Sequence, residues 1–352
     1  MAPSCKSATI AAACCLLLLC VSSFMAELFH GELAPALYVL GDSQADAGNN
    51  NHLLLSPLRA DFPRNGIDYP GQQATGRFSN GLNFVDFLAS SLGLASPLPY
   101  HSIMSNATAG RHSTFLKGVN FASGGQCFSF DDQIERDYLD VYTDLVRQLR
   151  RPQAMAHLAR SVFTVAIGGN DIILRAAPPT VAVELPPAEL QVLPPQPFVD
   201  LLAQTLERQL QRLYELGVRR LFLVGAAPIG CLPAMRELSL LTKECHAGAD
   251  GMAARYNAAA ASLLRRMSER HLDFRHAFFD ARAALMRYID EPQVNGYAEV
   301  KAACCGLGDN KAIELRDLVH PTETTARKLT AVAVTGSAPL VSPINVRQLC
   351  AE

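Results

Sequence analysis

Tryptophan is missing from all 352 residues, and only 18% of them are charged. An aromatic platform for stacking nucleobases is therefore a poor expectation. Lys and Arg number 31 against 33 Asp and Glu, a net charge of −2, and no long run of one sign appears. A nucleic-acid binder neutralises phosphates with clustered basic residues, so that class is excluded. There is no collagen period, no heptad pattern and no solenoid repeat. No CxxC pair and no HExxH helix is present, so neither a metal nor any other cofactor is expected. Apolar residues, by contrast, make up 49% of the chain, enough to build a large core and too many for a disordered chain.

The longest apolar run lies at the start. Lys6 precedes Ile10 to Val21, and the small residues Ser22 and Ser23 follow. Twelve apolar residues suit the core of a secretory signal peptide and are too few to span a bilayer of about 30 Å. Residues 1–26 are read as that signal, with an uncleaved anchor as the alternative, and residues 27–352 as one secreted domain with no transmembrane segment. Four of the ten cysteines (Cys5, Cys14, Cys15 and Cys20) fall in the leader. The other six are Cys127, Cys231, Cys245, Cys304, Cys305 and Cys350, an even number that suggests disulfides in an oxidising compartment. Cys231 and Cys245 would close a short local loop and are the favoured pair. Asn106-Ala-Thr108 is an N-glycosylation sequon.

Short apolar runs at Ala36–Leu40, Val162–Ile167, Val218–Val224 and Phe274–Phe279 read as buried strands. Amphipathic helices lie between them. One opens near Pro197 with Phe198, Leu202, Leu206, Leu210 and Leu213 on one face and Gly217 past its end. Another carries Met252, Tyr256, Leu263 and Met267 on one stripe. This alternation predicts a three-layer α/β/α sandwich around a central, mainly parallel sheet. Residues 178–197 hold seven prolines, which exclude a regular helix or central strand. That segment leaves the sheet where ligands of such folds bind, so it reads as a wall or lid over a site, or else as a surface excursion.

Ser43 follows the first strand directly, in Gly41-Asp42-Ser43, where a hydroxyl can lie exposed at the edge of the sheet. Such a hydroxyl is a weak nucleophile and needs an oriented base. Near the other end, Asp317-Leu-Val-His320-Pro321 places a carboxylate and an imidazole three residues apart. From residue types alone, a Ser–His–Asp site competes with a turn serine and a surface pair. The G-x-S-x-G elbow of α/β-hydrolases is absent.

Five blocks resemble the plant extracellular GDSL esterase/lipases of the SGNH hydrolase superfamily. They are Leu40-Gly-Asp-Ser-Gln-Ala-Asp-Ala-Gly-Asn-Asn-Asn51, Gly118-Val-Asn-Phe-Ala-Ser-Gly-Gly125, Ile167-Gly-Gly-Asn-Asp171, Gly225-Ala-Ala-Pro-Ile-Gly-Cys-Leu-Pro233 and Asp317-Leu-Val-His-Pro-Thr-Glu323. They stand in the family's order. The resemblance implies a flavodoxin-like fold and hydrolysis of carboxylic esters through an acyl-serine, with no metal or nucleotide. It further implies Ser43 as nucleophile, His320 as base and Asp317 as its orienter. The oxyanion hole would comprise the Ser43 amide, an amide of the Ser123-Gly124-Gly125 turn (Gly125 rather than Gly124) and the Asn170 side chain. Expected partners are small-molecule, lipid or cell-wall esters. Two departures stand out. Gln44 occupies the position of the family's leucine, and only Leu307 to Arg316 separate Gly306 from Asp317, where relatives carry about twenty residues more. A catalytically silent binding protein and an acyltransferase are the alternatives.

Overall fold

The computed structural model describes residues 31–351 except 54, 55, 57, 107–109, 126–127, 177–191, 239–241 and 304–318. Its centre is a five-stranded sheet in the order β1 (Leu37–Gly41), β2 (Val162–Ala166), β3 (Arg220–Val224), β4 (Arg275–Phe279) and β5 (Val341–Pro343). The first four strands are parallel and β5 runs antiparallel to β4. Beyond β1 the backbone of Val119–Phe121 pairs with it in parallel through Val39, taking the place of a sixth strand. β1 therefore lies between neighbours reached by connections running in opposite directions. In open α/β sheets that is the switch point where ligands bind at the strands' carboxyl ends.

β1 to β4 form because each is a mainly apolar run buried on both faces, the pattern a covered parallel sheet requires. Alternate residues serve opposite cores. Tyr38, Leu40, Phe163, Val165, Leu221 and Leu223 pack on one side. Leu37, Val39, Val162, Phe222, Ala277 and Phe279 pack on the other. The first core is roofed by α2 (Leu139–Leu149), α3 (Arg151–Arg160), α4 (Gly169–Ala176), α5 (Pro195–Glu215) and α6 (Ala247–Arg270). The second is covered by α1 (Phe84–Ser91), α7 (Ala281–Asp290), α8 (Glu323–Thr335) and α9 (Val346–Cys350). The result is an α/β/α sandwich.

Each of the four expected strands is present, β3 starting two residues later than its apolar run. The helix expected from Pro197 begins at Pro195, and its buried stripe is Phe198, Val199, Leu206, Leu210 and Leu213, with Leu202 half-buried. β5 has no counterpart in the sequence reading. It is three residues long, ends in a proline and sits at the edge of the sheet, where a missing N–H is tolerated. The proline-rich segment lies outside the described residues except for 192–197.

Cys231 and Cys245 form a disulfide, with Cα atoms 4.3 Å apart. The loop is also closed without it. His246 N–H donates to the Gly230 carbonyl (2.8 Å), and the buried Arg236 donates to the carbonyls of Cys231 (2.9 Å) and Lys243 (3.0 Å). Cys350 is free and buried, and its thiol is pushed up to about 11 by burial. Cys127, Cys304 and Cys305 lie outside the described residues. Replacing both Cys231 and Cys245 by serine is expected to lower the unfolding free energy by about 3 kcal/mol, the chain-entropy value for a loop of this length. Urea denaturation of the two proteins checks this, with the native fold retained because the polar contacts persist.

Candidate active site

The turn after β1 is built by backbone contacts that admit only glycine at its start. Gly41 has φ 146°, and a Cβ there would lie 2.2 Å from the Ala166 carbonyl oxygen of β2. On its other side Gly41 is gripped by the buried Gln133, whose Oε1 accepts the Gly41 N–H and whose Nε2 donates to the Gly41 carbonyl, both at 2.8 Å. Gln133 opens a π-helical turn (Gln133–Tyr138) leading into α2. The Asp42 N–H then donates to Ala166 (3.0 Å), and the Asp42 carboxylate accepts the Gln44 N–H (2.9 Å). Ser43 is held between these anchors at the carboxyl end of the sheet.

Behind it lies a buried polar web. The Asp46 carboxylate accepts the N–H groups of Gly48 (2.7 Å), Asn49 (2.8 Å) and Gly124 (3.0 Å). Asn49 donates to the carbonyls of Asn120 and Ala122, Asn50 to that of Gly124, and Asn120 back to that of Ala45. These bonds tie residues 45–50 to residues 120–124. Because the Gly124 N–H is committed to Asp46, Gly125 supplies the next amide of that turn.

His320 approaches from the opposite end of the chain. Its Nε2 lies 2.8 Å from Ser43 Oγ, and its ring rests against the buried Phe78 at 5.3 Å between centroids. After it, Thr322 caps α8, the Glu323 N–H donates to Asn80 (2.8 Å) and the Glu323 carboxylate accepts from Leu82 (2.9 Å). Just before it, the Val319 carbonyl accepts from Gln44 Nε2 at 3.1 Å. The residue that departs from the family's pattern therefore tethers the His320 loop to the turn that carries Ser43. Asp317 lies outside the described residues.

Asn170 stands in the first turn of α4, past the turn in which Gly168 has φ 98°. It lines, with Ser43 and His320, a cavity of about 470 Å³ at the carboxyl ends of β2 to β4. Such a volume is ordinary for a small-molecule site. Ser43, Asn170 and His320 therefore converge on one cavity, whereas Gly125 is not among its lining residues and lies against Leu58. Asn106 is an exposed residue at the end of a short helix on another part of the surface, and the rest of its sequon lies outside the described residues. Among the described residues no cluster of three or more metal-ligating side chains is found. Likewise, no helix among them is long and apolar enough to cross a membrane. Gln133, Asp46 and the Gln44 tether escaped the sequence reading. Gln44 and Asp46 sit inside a block already singled out, but Gln133 follows no motif.

An α/β/α sandwich that sets a serine at the switch point, with an imidazole against its hydroxyl, is the frame of an SGNH-type hydrolase. Comparison with known proteins agrees: residues 37–332 match the family described as GDSL-like Lipase/Acylhydrolase, and the chain belongs to it. Two GDSL esterase/lipases of Arabidopsis thaliana illustrate the likeness. One is 34% identical over 92% of both chains, and the other 32% identical over 92% of this chain and 91% of its own.

Burial pushes the Asp42 carboxyl up to about 7. The nearby Asp171 charge adds to that effect and the Gln44 N–H opposes it. The folded chain therefore holds this proton more tightly than the unfolded chain, whose aspartate titrates near about 4. The stabilisation is complete below that value and is lost as pH rises through about 7. Asp42→Asn keeps an oxygen for the Gln44 N–H and removes the charge. Its melting temperature relative to the parent is expected to be higher at pH 8 than at pH 5, and a difference independent of pH would contradict this account.

Proposed function

We propose that the chain is a secreted carboxylic-ester hydrolase working through an acyl-serine. The observation that carries this reading is the 2.8 Å contact between Ser43 Oγ and His320 Nε2 at the mouth of an apolar cavity. In the proposed cycle His320 takes the Ser43 proton as the oxygen attacks the ester carbonyl. The carbonyl oxygen becomes an oxyanion, stabilised by the amides of Ser43 and Gly125 and by the Asn170 side chain. His320 returns its proton to the leaving alcohol, then activates a water that releases the acid. Asp317 orients the imidazole and balances the charge it gains. Residues 1–26 are the signal that directs the single domain, residues 27–352, to the cell exterior, and Asn106 carries glycan there. The names of the relatives support the reaction class.

Ser43→Ala is expected to lose both turnover of a short nitrophenyl ester and covalent labelling by a fluorophosphonate, with the modified peptide of the parent identified by mass spectrometry. Turnover retained by the variant in a clean preparation would make the Ser43 assignment wrong, whereas a parent that turns over no ester would favour the silent binding reading. Added alcohols that divert the acyl group from water would instead mark an acyltransferase. Asn170→Ala should lower kcat by about a hundredfold or more with little change in KM, as for a donor used in the transition state. His320→Ala should abolish the acid limb of the kcat/KM profile along with the activity. Asp317→Asn, measured beside it, separates a triad from a Ser–His pair: a loss under about tenfold would mean the pair.

A further inference from the structure

The cavity is not confined to the reacting atoms. It runs from Ser43 beneath the carboxyl ends of β2, β3 and β4 into the gap between α7 and α8. Along α8 its wall includes a helical stripe, Thr322, Ala326, Leu329 and Ala333, spaced four, three and four residues apart, with Thr325 and Thr330 beside it. Across from it stand Leu285 and Tyr288 of α7, and Phe222 of β3 forms part of the floor. At the far end Ala333 and Phe222 are 2% and 1% exposed. Ser43, Asn170 and His320 sit at the opposite end.

Protein interiors are normally filled to the density of an organic crystal. Here the core on this face stays open because alanines (Ala281, Ala326 and Ala333) occupy positions where larger side chains would close it. The lining there is mostly apolar, and its polar side chains are few: Tyr288, and Thr330, whose hydroxyl is already bonded to the Ala326 carbonyl. Burial of a sugar would leave most of its hydroxyls unpaired and be unfavourable. An acetyl group would leave most of the space empty. From Thr322 to Ala333 the helix advances about 16 Å, the span of an extended chain of about a dozen carbons.

We propose that this cavity is a channel for a medium-length aliphatic acyl chain, with Ala333 at its closed end setting the chain length. The proposal rests on the ester-hydrolase reading given above, and it selects fatty acyl esters over acetylated polysaccharides.

Two measurements on the full chain test it. The first follows kcat/KM for nitrophenyl esters from acetyl to dodecanoyl, beside acetates of alcohols of matching length. The acyl series should rise by up to about fourfold per methylene, the worth of burying one such group, and level off near a dozen carbons. Ala333→Phe should move the optimum to shorter chains, lowering the dodecanoyl-to-acetyl ratio at least tenfold. The second, independent of turnover, titrates Ser43→Ala with dodecanoate by calorimetry, and then the double variant with Ala333→Phe. Binding to the first and not to the second supports the channel. An acyl profile that is flat or falls with length overturns it, as does a rise seen only in the alcohol series, and so does absence of dodecanoate binding. Dodecanoate binding without hydrolysis of any ester would keep the channel and remove the hydrolase reading.

Discussion

One buried carboxylate holds the candidate site together. Asp46 has no exposed surface, and burial pushes its carboxyl up to about 6 even though backbone N–H groups, those of Gly48, Asn49 and Gly124 among them, favour the charged form. Those three donors belong to two segments far apart in sequence, the turn after β1 and the turn at Gly124. A charge in that position is tolerable only while every donor stays in place, since losing any leaves the carboxylate partly unsolvated. The serine turn and the glycine turn are thereby fixed relative to each other by an energetic penalty against their separation. The asparagines around Asp46 extend this constraint to four further backbone carbonyls.

The histidine arrives by a different route. Its loop is fixed on the near side by the Gln44 amide and on the far side by Glu323 and Asn80. Neither anchor uses the strands, so the imidazole is aligned by side-chain bonds from the 42–50 and 80–82 segments. An SGNH-type hydrolase built this way separates two tasks. The sheet and its buried polar web set Ser43 and the Gly124 turn, whereas loops set His320.

Much of this was legible before any coordinates, for physical reasons that differ from element to element. β1 to β4 announce themselves because a strand buried on both faces must be a continuous apolar run, and each such run ends in a glycine or a turn. β5 carries no such run, since three residues at a sheet edge need bury only Val341. Ser43, Gly125, Asn170 and His320 were found through blocks of sequence resembling a family, and the meeting of Ser43, Asn170 and His320 at one cavity required the fold. Gln133 was invisible because its partner, Gly41, is 92 residues away and a lone glutamine in an amphipathic pattern has no signature. The Cys231–Cys245 pair was readable from local spacing alone. Asp317, the leader, Cys127, Cys304, Cys305 and most of the proline-rich stretch are among the parts of the reading on which the described residues do not bear.

Gln133 has a counterpart across the sheet. Asn257 of α6 accepts the Ala226 N–H at 2.7 Å and donates to the Ala226 carbonyl at 3.0 Å, just past the end of β3. A carboxamide is the one neutral side chain that carries donor and acceptor in the arrangement of a peptide unit. Each of these two residues thus imitates a single link of β-strand, supplied by a helix, where the sheet would otherwise end in bare backbone. The amides of Gly41 and Ala226 lie beside the opening through which water and substrate must pass, yet they are sealed as strand interiors are. In amide hydrogen exchange they should behave as members of the slow core, so the protected body of the protein reaches to the rim of the site instead of fraying before it.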